Sequence, residues 1–159
     1  MLVSRKRNAN SPPLFLNNHQ LERVQCYKYL GLLLSLDLSW SHHIESICSK
    51  TRKLLGLLYR QFSNNTNPQV MAKLYLSLVR PHLEYGAQVW DPHLVKDSAR
   101  LENVQKLALK ICTKNWDLSY NALLNSTGMP TLKDRRQYLK LCTFFCIVNS
   151  MFFFNYNIL

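Results

Sequence analysis

The segment at residues 74–90, LYLSLVRPHLEYGAQVW, decides the fold because a helical pattern in it runs straight into a proline. Before Pro81, apolar residues recur three and four positions apart, as on the buried side of a helix. Pro81 lacks an amide hydrogen and clashes with the preceding turn. We therefore expect the helix to kink or stop near Arg80, and a helical piece to resume from Leu83 to Trp90.

Helical patterns also precede this segment. Ser39 or Ser41 can cap a long helix, and Pro68 suits the first turn of the helix that leads into residues 74–90. The predicted buried stripe of the long helix is Ile44, Ile47, Cys48, Thr51, Leu54, Leu55, Leu58 and Phe62. The predicted stripe of the next helix is Val70, Met71, Leu74, Tyr75, Leu78 and Val79.

Three helices are predicted after Trp90. The first spans about residues 97–113, and a short helix at residues 119–125 ends at Thr127–Gly128. Thr131 caps the last helix, which runs from Leu132 to about Asn149 and becomes wholly apolar. The predicted inward positions of the first are Leu101, Val104, Leu107, Ala108, Ile111 and Cys112.

The N-terminal residues indicate a small β unit. Residues 1–3 match the end of a strand, and residues 14–16 and 21–24 flank a polar turn, as in a hairpin. Residues 27–34 are aromatic and apolar, so we expect one buried strand in which Gly31 allows close approach of backbone or ligand. The predicted fold is mainly α (α+β): a β-hairpin unit at residues 1–36, a bundle of about five helices at residues 37–150, and an apolar tail at residues 151–159.

The charge of the chain favours an anionic partner. Twenty Lys and Arg residues against nine Asp and Glu residues give a net charge of +11. Such an excess favours nucleic acid because phosphate contacts release condensed counterions. A merely basic soluble protein is the alternative. The five cysteines form no C-x-x-C pair, which argues against a disulfide scaffold or a zinc knuckle and fits an intracellular location, cytoplasmic or nuclear.

The C-terminal residues resemble a membrane span in length. Residues 141–159 carry no charge, but Asn149 and Asn155 interrupt the apolar run and no basic flank follows. We expect a buried helix running into an apolar tail, with a tail-anchored membrane protein as the alternative. We expect no signal peptide, because residues 8–13 are polar or proline where an apolar run would be needed.

A catalytic residue set is not visible in the sequence. Polymerases and nucleases hold two metal ions with clustered carboxylates, and no two of the nine acids are adjacent. His42 and His43 with Cys48 could ligate a metal, but adjacent histidines point to different helix faces. Cys142 and Cys146 are expected to be buried apolar residues. We therefore expect no enzyme activity, metal, cofactor or small-molecule substrate.

The basic helix faces are the better functional candidates. Off the apolar stripes lie Lys50, Arg52, Lys53 and Arg60 of the long helix, and Lys106 and Lys110 of a later one. They could follow a phosphate backbone, or they could be solvated faces. Arg135 and Arg136 could contact phosphate, or pair with a helix terminus or an acid in the core. The aromatic residues Trp40, Tyr75, Tyr85 and Trp90 are expected in the core rather than as base-stacking platforms.

Six stretches, in order, resemble the reverse transcriptases of non-LTR retrotransposons of the jockey type. They are Met1–Lys6 (the strand closing the palm), Tyr27–Gly31 (the primer grip), Leu38–Ile44 (the thumb entry), Leu74–Trp90 (the thumb's central motif), Leu101–Lys106 (the next helix) and Leu132–Arg136 (a Leu-x-x-Arg-Arg element). The resemblance implies a primer-grip and thumb region without the catalytic palm.

The resemblance also implies a function. Such a fragment of an RNA-directed DNA polymerase would be non-catalytic, and would bind a template–primer duplex, RNA–DNA or DNA, by its backbone. The residues implied at the primer are Lys28, Tyr29 and Gly31, and those at the duplex phosphates are Arg52, Lys53 and Arg60. The alternative is a basic helical interaction or structural protein with no nucleic-acid role.

Overall fold

A computed structural model of the protein describes residues 13–22, 24–62 and 66–149. The expected N-terminal strand at residues 1–3 and the apolar tail at residues 151–159 lie outside these ranges. The chain forms two compact units, Met1–Ser46 and Ile47–Leu159, and the division falls inside the first helix.

The first unit contains the predicted hairpin. Strands β1 (Phe15–Leu16) and β2 (His19–Gln20) pair antiparallel, with Phe15 opposite Gln20. Asn17 and Asn18 both have positive φ, 48° and 62°. Asparagine tolerates this conformation, and two such residues form a turn whose twist matches that of the strands. The hairpin is confirmed, but its second strand lies at His19–Gln20, inside the predicted polar turn, and not at residues 21–24.

A second hairpin follows, and it corrects the single buried strand predicted for residues 27–34. Strands β3 (Cys26–Tyr29) and β4 (Leu32–Ser35) pair antiparallel around Leu30 and Gly31, whose φ angles are 46° and 83°. Glycine adopts positive φ without steric cost, so the chain can reverse direction at Gly31. The apolar residues on both sides of Gly31 gave no sign of a turn in the sequence. All of β3 is exposed, and of the two strands only Ser35 is buried.

His43 packs inside this first unit. It is buried, its Nδ1 accepts a hydrogen bond from Leu33 N at 3.3 Å, and its ring meets Trp40 edge to face at 6.1 Å. Burial lowers the pKa of His43. In the described ranges, no group of three or more His, Cys, Asp or Glu side chains could hold a metal ion.

The rest of the chain is helical, which confirms the mainly α fold with a small β part. The helices are α1 (Ser41–Phe62), α2 (Pro68–Leu74), a π-helical turn (Tyr75–Val79), α3 (Arg80–Glu84), α4 (Ala87–Trp90), α5 (Val95–Thr113), α6 (Tyr120–Thr127) and α7 (Leu132–Val148). Ser119 and Thr131 cap α6 and α7, and Gly128 ends α6 with φ 65°. None of the helices described is long and apolar enough to cross a membrane.

The predicted bend at Pro81 takes the form of a π-helical turn. Pro81 cannot donate to the carbonyl four residues back and its ring would clash with it. In the wider turn, Arg80 N donates instead to Tyr75 O, and the chain passes into α3 without stopping. Gly86, with φ 66°, then separates α3 from α4.

The π-helical turn also changes which residues are buried. The buried positions fall almost every four residues: Met71, Tyr75, Val79, Leu83, Ala87 and Trp90. Val70 and Leu78, predicted as buried, are about half exposed: Leu78 lies within the wider turn, and Val70 lies in the first turn of α2. The core prediction is confirmed for Tyr75 and Trp90 and is wrong for Tyr85, which is 58% exposed.

Tyr75 makes a buried polar contact that can be tested. Its hydroxyl donates to Gln105 Oε1 at 3.1 Å, and Gln105 Nε2 donates to Pro130 O at 2.8 Å. Tyr75→Phe should lower the free energy of unfolding in urea by about 1–2 kcal/mol, because Gln105 Oε1 loses its donor inside the core. Tyr27→Phe, at an exposed tyrosine, should change it by less than about 0.5 kcal/mol. Equal effects of the two variants would contradict this contact.

Helix α7 corrects the prediction of a buried apolar helix. It packs on α3, α4 and α5, and its buried residues, Leu132 and Arg136, both lie in its first half. Cys142 and Cys146, predicted as buried, are partly exposed. The side chains that are more than half exposed in the second half are Leu141, Phe144, Phe145, Ile147 and Val148. The described part of the apolar run is therefore a helix whose apolar side chains are exposed.

Candidate nucleic-acid interface

Arg135 ties the start of α7 to the bent segment. Its Nε and Nη2 donate to the two carboxylate oxygens of Glu84 at 3.0 and 2.9 Å. Such a bidentate pair is among the stronger side-chain hydrogen bonds. Glu84 also lies 3.4 Å from Arg80 in its own helix. The geometry thus matches the acid-pairing alternative for Arg135.

Arg136 is held inside the fold. Its side chain is 1% exposed, its Nε donates to Asp91 Oδ1 at 2.8 Å, and its Nη2 donates to Ser98 Oγ at 3.2 Å. Lys140 also donates to Asp91. Burial alone would raise the pKa of Asp91, but hydrogen bonds from Lys140 and Arg136 outweigh it and hold the pKa below its usual value. Burial of Arg136 leaves no surface for a phosphate contact.

Glu102 of α5 completes this polar cluster. It accepts hydrogen bonds from the backbone nitrogens of Leu132 and Lys133 at 3.3 and 2.8 Å, and from the hydroxyl of Tyr120. A carboxylate here satisfies amides at the start of α7 and offsets the positive end of its dipole. Arg136 Nη1 lies 3.9 Å from Glu102 Oε1. Three of the acids, Glu84, Asp91 and Glu102, are therefore engaged within the fold.

The candidate cations of α1 and α5 differ from Arg135 and Arg136. We call them the basic face: Lys50, Arg52, Lys53 and Arg60 of α1, and Lys106 and Lys110 of α5. The α1 members are exposed and the α5 members are half-buried. Among the described residues, no carboxylate lies within ion-pair distance of any of the six. An anion could therefore approach them without displacing an internal partner.

Lys50 touches the bent segment. Its Nζ lies 3.4 Å from Nδ1 of His82 in α3. Partial burial and the nearby charge of Lys50 lower the pKa of His82. The distance suits a hydrogen bond in which the Lys50 ammonium donates to Nδ1 of His82.

An aromatic pair joins the two halves of the basic face. The rings of Tyr59 (α1) and Trp116 (the α5–α6 loop) lie 6.4 Å apart at 88°, edge to face. The ammonium of Lys110 lies 6.0 Å from the centre of the Trp116 ring, and it donates to the Trp116 carbonyl. Because Arg60 follows Tyr59, the pair brings cations of α1 and α5 to one area of the surface.

Gly56 lies within the basic stretch of α1, one turn after Arg52 and Lys53 and one turn before Arg60. A Cβ at this position would meet no atom within 4 Å. Glycine in a helix interior lowers stability relative to alanine because it loses more backbone entropy on folding. Packing does not require a glycine at this position. The backbone of Gly56 is exposed between Arg52, Lys53 and Arg60.

Gly56→Ala should raise the free energy of unfolding by about 0.5–1 kcal/mol, because alanine gains helix propensity in open space. Urea unfolding measures the change. Gly128→Ala is the matched control, and it should lower stability because Gly128 has φ +65°. A loss of stability in Gly56→Ala would show that the α1 backbone at this position contacts something else.

The primer-grip candidates Lys28, Tyr29 and Gly31 lie in the first unit. Lys28 and Tyr29 end β3, opposite Leu33 and Leu32, and Gly31 is the second residue of the turn. All three are exposed. All three therefore lie near the turn of this hairpin, where the side chains of Lys28 and Tyr29 project from opposite faces of the strand.

Sequence reasoning missed two sets of residues. The acids Glu84, Asp91 and Glu102 lie far along the chain from their cation partners, and no local pattern joins them. Tyr59 and Trp116 did carry a signal. Tyr59 lies off the apolar stripe of α1, and Trp116 stands in a polar loop beside Asn115 and Asp117.

Comparison with known proteins finds two relatives in Drosophila melanogaster. The chain is 25% identical over 131 residues to a probable RNA-directed DNA polymerase from transposon X-element, and 25% identical over 134 residues to the RNA-directed DNA polymerase from mobile element jockey. The alignments cover 80% and 82% of this chain but 14% and 15% of the relatives. No family model and no solved structure matches. The chain is therefore similar to about one seventh of each polymerase.

Proposed function

We propose that this chain corresponds to the primer-grip and thumb region of a non-LTR retrotransposon reverse transcriptase, and that its basic face binds the backbone of a nucleic-acid duplex. The observation that carries the proposal is the division among the cations. Arg80 of α3 and three cations of α7 (Arg135, Arg136 and Lys140) pair with acids inside the fold, whereas the six cations of the basic face have no carboxylate partner among the described residues. Similarity to two RNA-directed DNA polymerases supports the same proposal.

The spacing on α1 suits a phosphate backbone. Lys50, Lys53 and Arg60 lie three and seven residues apart, so they project from the same side of the helix. The ten residues from the first to the last cover about 15 Å. One strand of a duplex presents roughly four phosphates over that length of its axis. Backbone contacts of this kind hold a duplex in position without reading its sequence.

The duplex would be a template–primer, RNA–DNA or DNA. In that arrangement Lys28, Tyr29 and Gly31 would approach the primer while the basic face holds the duplex. The acids Glu84, Asp91 and Glu102 are engaged in ion pairs and a helix cap, so they are poor candidates for holding a pair of metal ions. We expect this chain alone to incorporate no nucleotides.

The proposal is tested by binding of the purified chain to a labelled RNA–DNA hybrid at two salt concentrations. We expect binding at about 50 mM salt that weakens strongly at about 200 mM, because counterion release drives it. A second hybrid of equal length and unrelated sequence should bind equally well. Absence of binding at low salt, or a strong sequence preference, would overturn the proposal.

A second candidate is an interaction protein that binds no nucleic acid. The exposed apolar side chains in the second half of α7 favour it, since contiguous apolar surface marks interaction sites. Under this candidate, loss of charge from α1 leaves hybrid affinity unchanged. The charge variants described in the Discussion separate the two.

A further inference from the structure

The aromatic pair Tyr59–Trp116 is unusual for its exposure. The two residues are 44% and 48% exposed, although their rings are in contact. Large aromatic side chains contribute most to stability when their area is removed from water. A tryptophan that leaves about half of its surface open is therefore available to a second flat partner.

The Trp116 ring is held in place before any ligand arrives. The ammonium of Lys110 lies over the ring, and it also donates a hydrogen bond to the Trp116 carbonyl, which holds the backbone that carries the ring. Tyr59 contacts the ring from α1, a different element. A side chain restrained from two sides loses little rotamer freedom when a ligand binds, and this favours affinity.

The charges around the pair favour an anionic ligand. Arg60 is adjacent to Tyr59 in sequence, Lys110 touches Trp116, and the exposed Lys114 ends α5 two residues before it. One acid, Asp117, follows Trp116 and is also exposed. Three cations against one carboxylate suit a ligand that combines a flat ring with phosphates.

We propose that Tyr59 and Trp116 form a stacking site for an unpaired nucleobase at the edge of the basic face. The ligand class is a single-stranded extension of a duplex, whose base stacks on the aromatic pair while its phosphates meet the neighbouring cations. Stacking tolerates any base because every base has a flat π face. This site deepens the proposed function, since the duplex itself is held by the basic face.

The test compares a blunt RNA–DNA hybrid with the same hybrid carrying a short single-stranded overhang. The chain should bind the overhang form about tenfold more tightly. Trp116→Ala should remove that preference, so that the variant binds the blunt and overhang forms with equal affinity. Trp116→Phe, which keeps a flat ring, should retain part of the preference. Melting temperatures of both variants within about 3 °C of the unchanged chain would show that the fold is intact.

A second measurement separates this site from the duplex-binding proposal. A single-stranded oligodeoxythymidine should quench the intrinsic fluorescence of a Trp40→Phe variant, and adding Trp116→Ala should abolish the quenching, because the remaining tryptophan, Trp90, is fully buried. Binding of the blunt hybrid without overhang preference or quenching would overturn the stacking site and leave the duplex proposal standing. Quenching that depends on Trp116, without binding of the blunt hybrid, would support the stacking site and overturn the duplex-binding proposal. Quenching that persists after Trp116→Ala is added would also overturn the stacking site.

Discussion

Replacing Arg136 with methionine should lower the free energy of unfolding by about 3–5 kcal/mol, the largest loss we expect from a single substitution. The methionine fills a similar volume but leaves Asp91 and Glu102 without the guanidinium that lies between them. A partly buried carboxylate that loses its partner keeps its desolvation cost. Urea unfolding followed by circular dichroism measures the change.

Arg100→Met is the matched control for this prediction. Arg100 also lies near an acid, Asp97 at 3.4 Å, but its side chain is 46% exposed. Asp97 is buried, but it lies 3.4 Å from a guanidinium that reaches solvent, so we expect Arg100→Met to lower the free energy of unfolding by about 1–2 kcal/mol, less than Arg136→Met. Adding Asp91→Asn to Arg136→Met should recover part of the loss, since the stranded charge is removed. If Arg136→Met lowered the free energy of unfolding no more than Arg100→Met does, the buried ion pairs of Arg136 would not stabilise the fold as proposed.

The second large effect concerns affinity. The α1 variant, with Lys50→Gln, Lys53→Gln and Arg60→Gln, should weaken binding of an RNA–DNA hybrid on the order of tenfold to hundredfold at about 50 mM salt, because three phosphate contacts and their released counterions are lost. The fold should persist, since these side chains are exposed and have no carboxylate partner among the described residues. Fluorescence anisotropy of a labelled hybrid measures the affinity.

A control is needed to separate the effect of total charge on hybrid affinity from the effect of where the charges lie. The control variant Lys73→Gln, Lys96→Gln and Lys133→Gln removes the same charge from exposed lysines of α2, α5 and α7. Under the duplex-binding proposal it should weaken binding much less than the α1 variant. Equal losses in the two variants would mean that net charge, rather than the basic face, attracts the hybrid.

The local sequence pattern was sufficient to predict most of the helices. The apolar spacing of residues 44–58, the cap at Thr131 and the glycine stop at Gly128 each depend on neighbours a few residues apart, and the structure has all three, although Phe62, the last predicted stripe residue, is exposed. The bend at Pro81 was also predictable from the missing amide hydrogen. Its form was not, because a π-helical turn differs from a kink only in how backbone groups rearrange, and within this turn Leu78 lies at the surface.

Long-range pairing could not be predicted. The sequence left Arg135 and Arg136 open between phosphate and an acid partner, and Glu84 and Asp91 lie about fifty residues before them. The cations of the basic face could be predicted because they fall off the apolar stripe. The contact between Tyr59 and Trp116 could not, since it depends on how the α5–α6 loop meets α1.

The most direct test of the duplex-binding proposal is the slope of log affinity against log salt concentration for a labelled RNA–DNA hybrid. Each phosphate contact contributes a slope of about −0.9. We predict that the α1 variant has a slope about 2.7 units shallower than the unchanged chain, whereas the control variant keeps the original slope. An α1 variant whose slope equals that of the unchanged chain would contradict the assignment of duplex binding to the basic face.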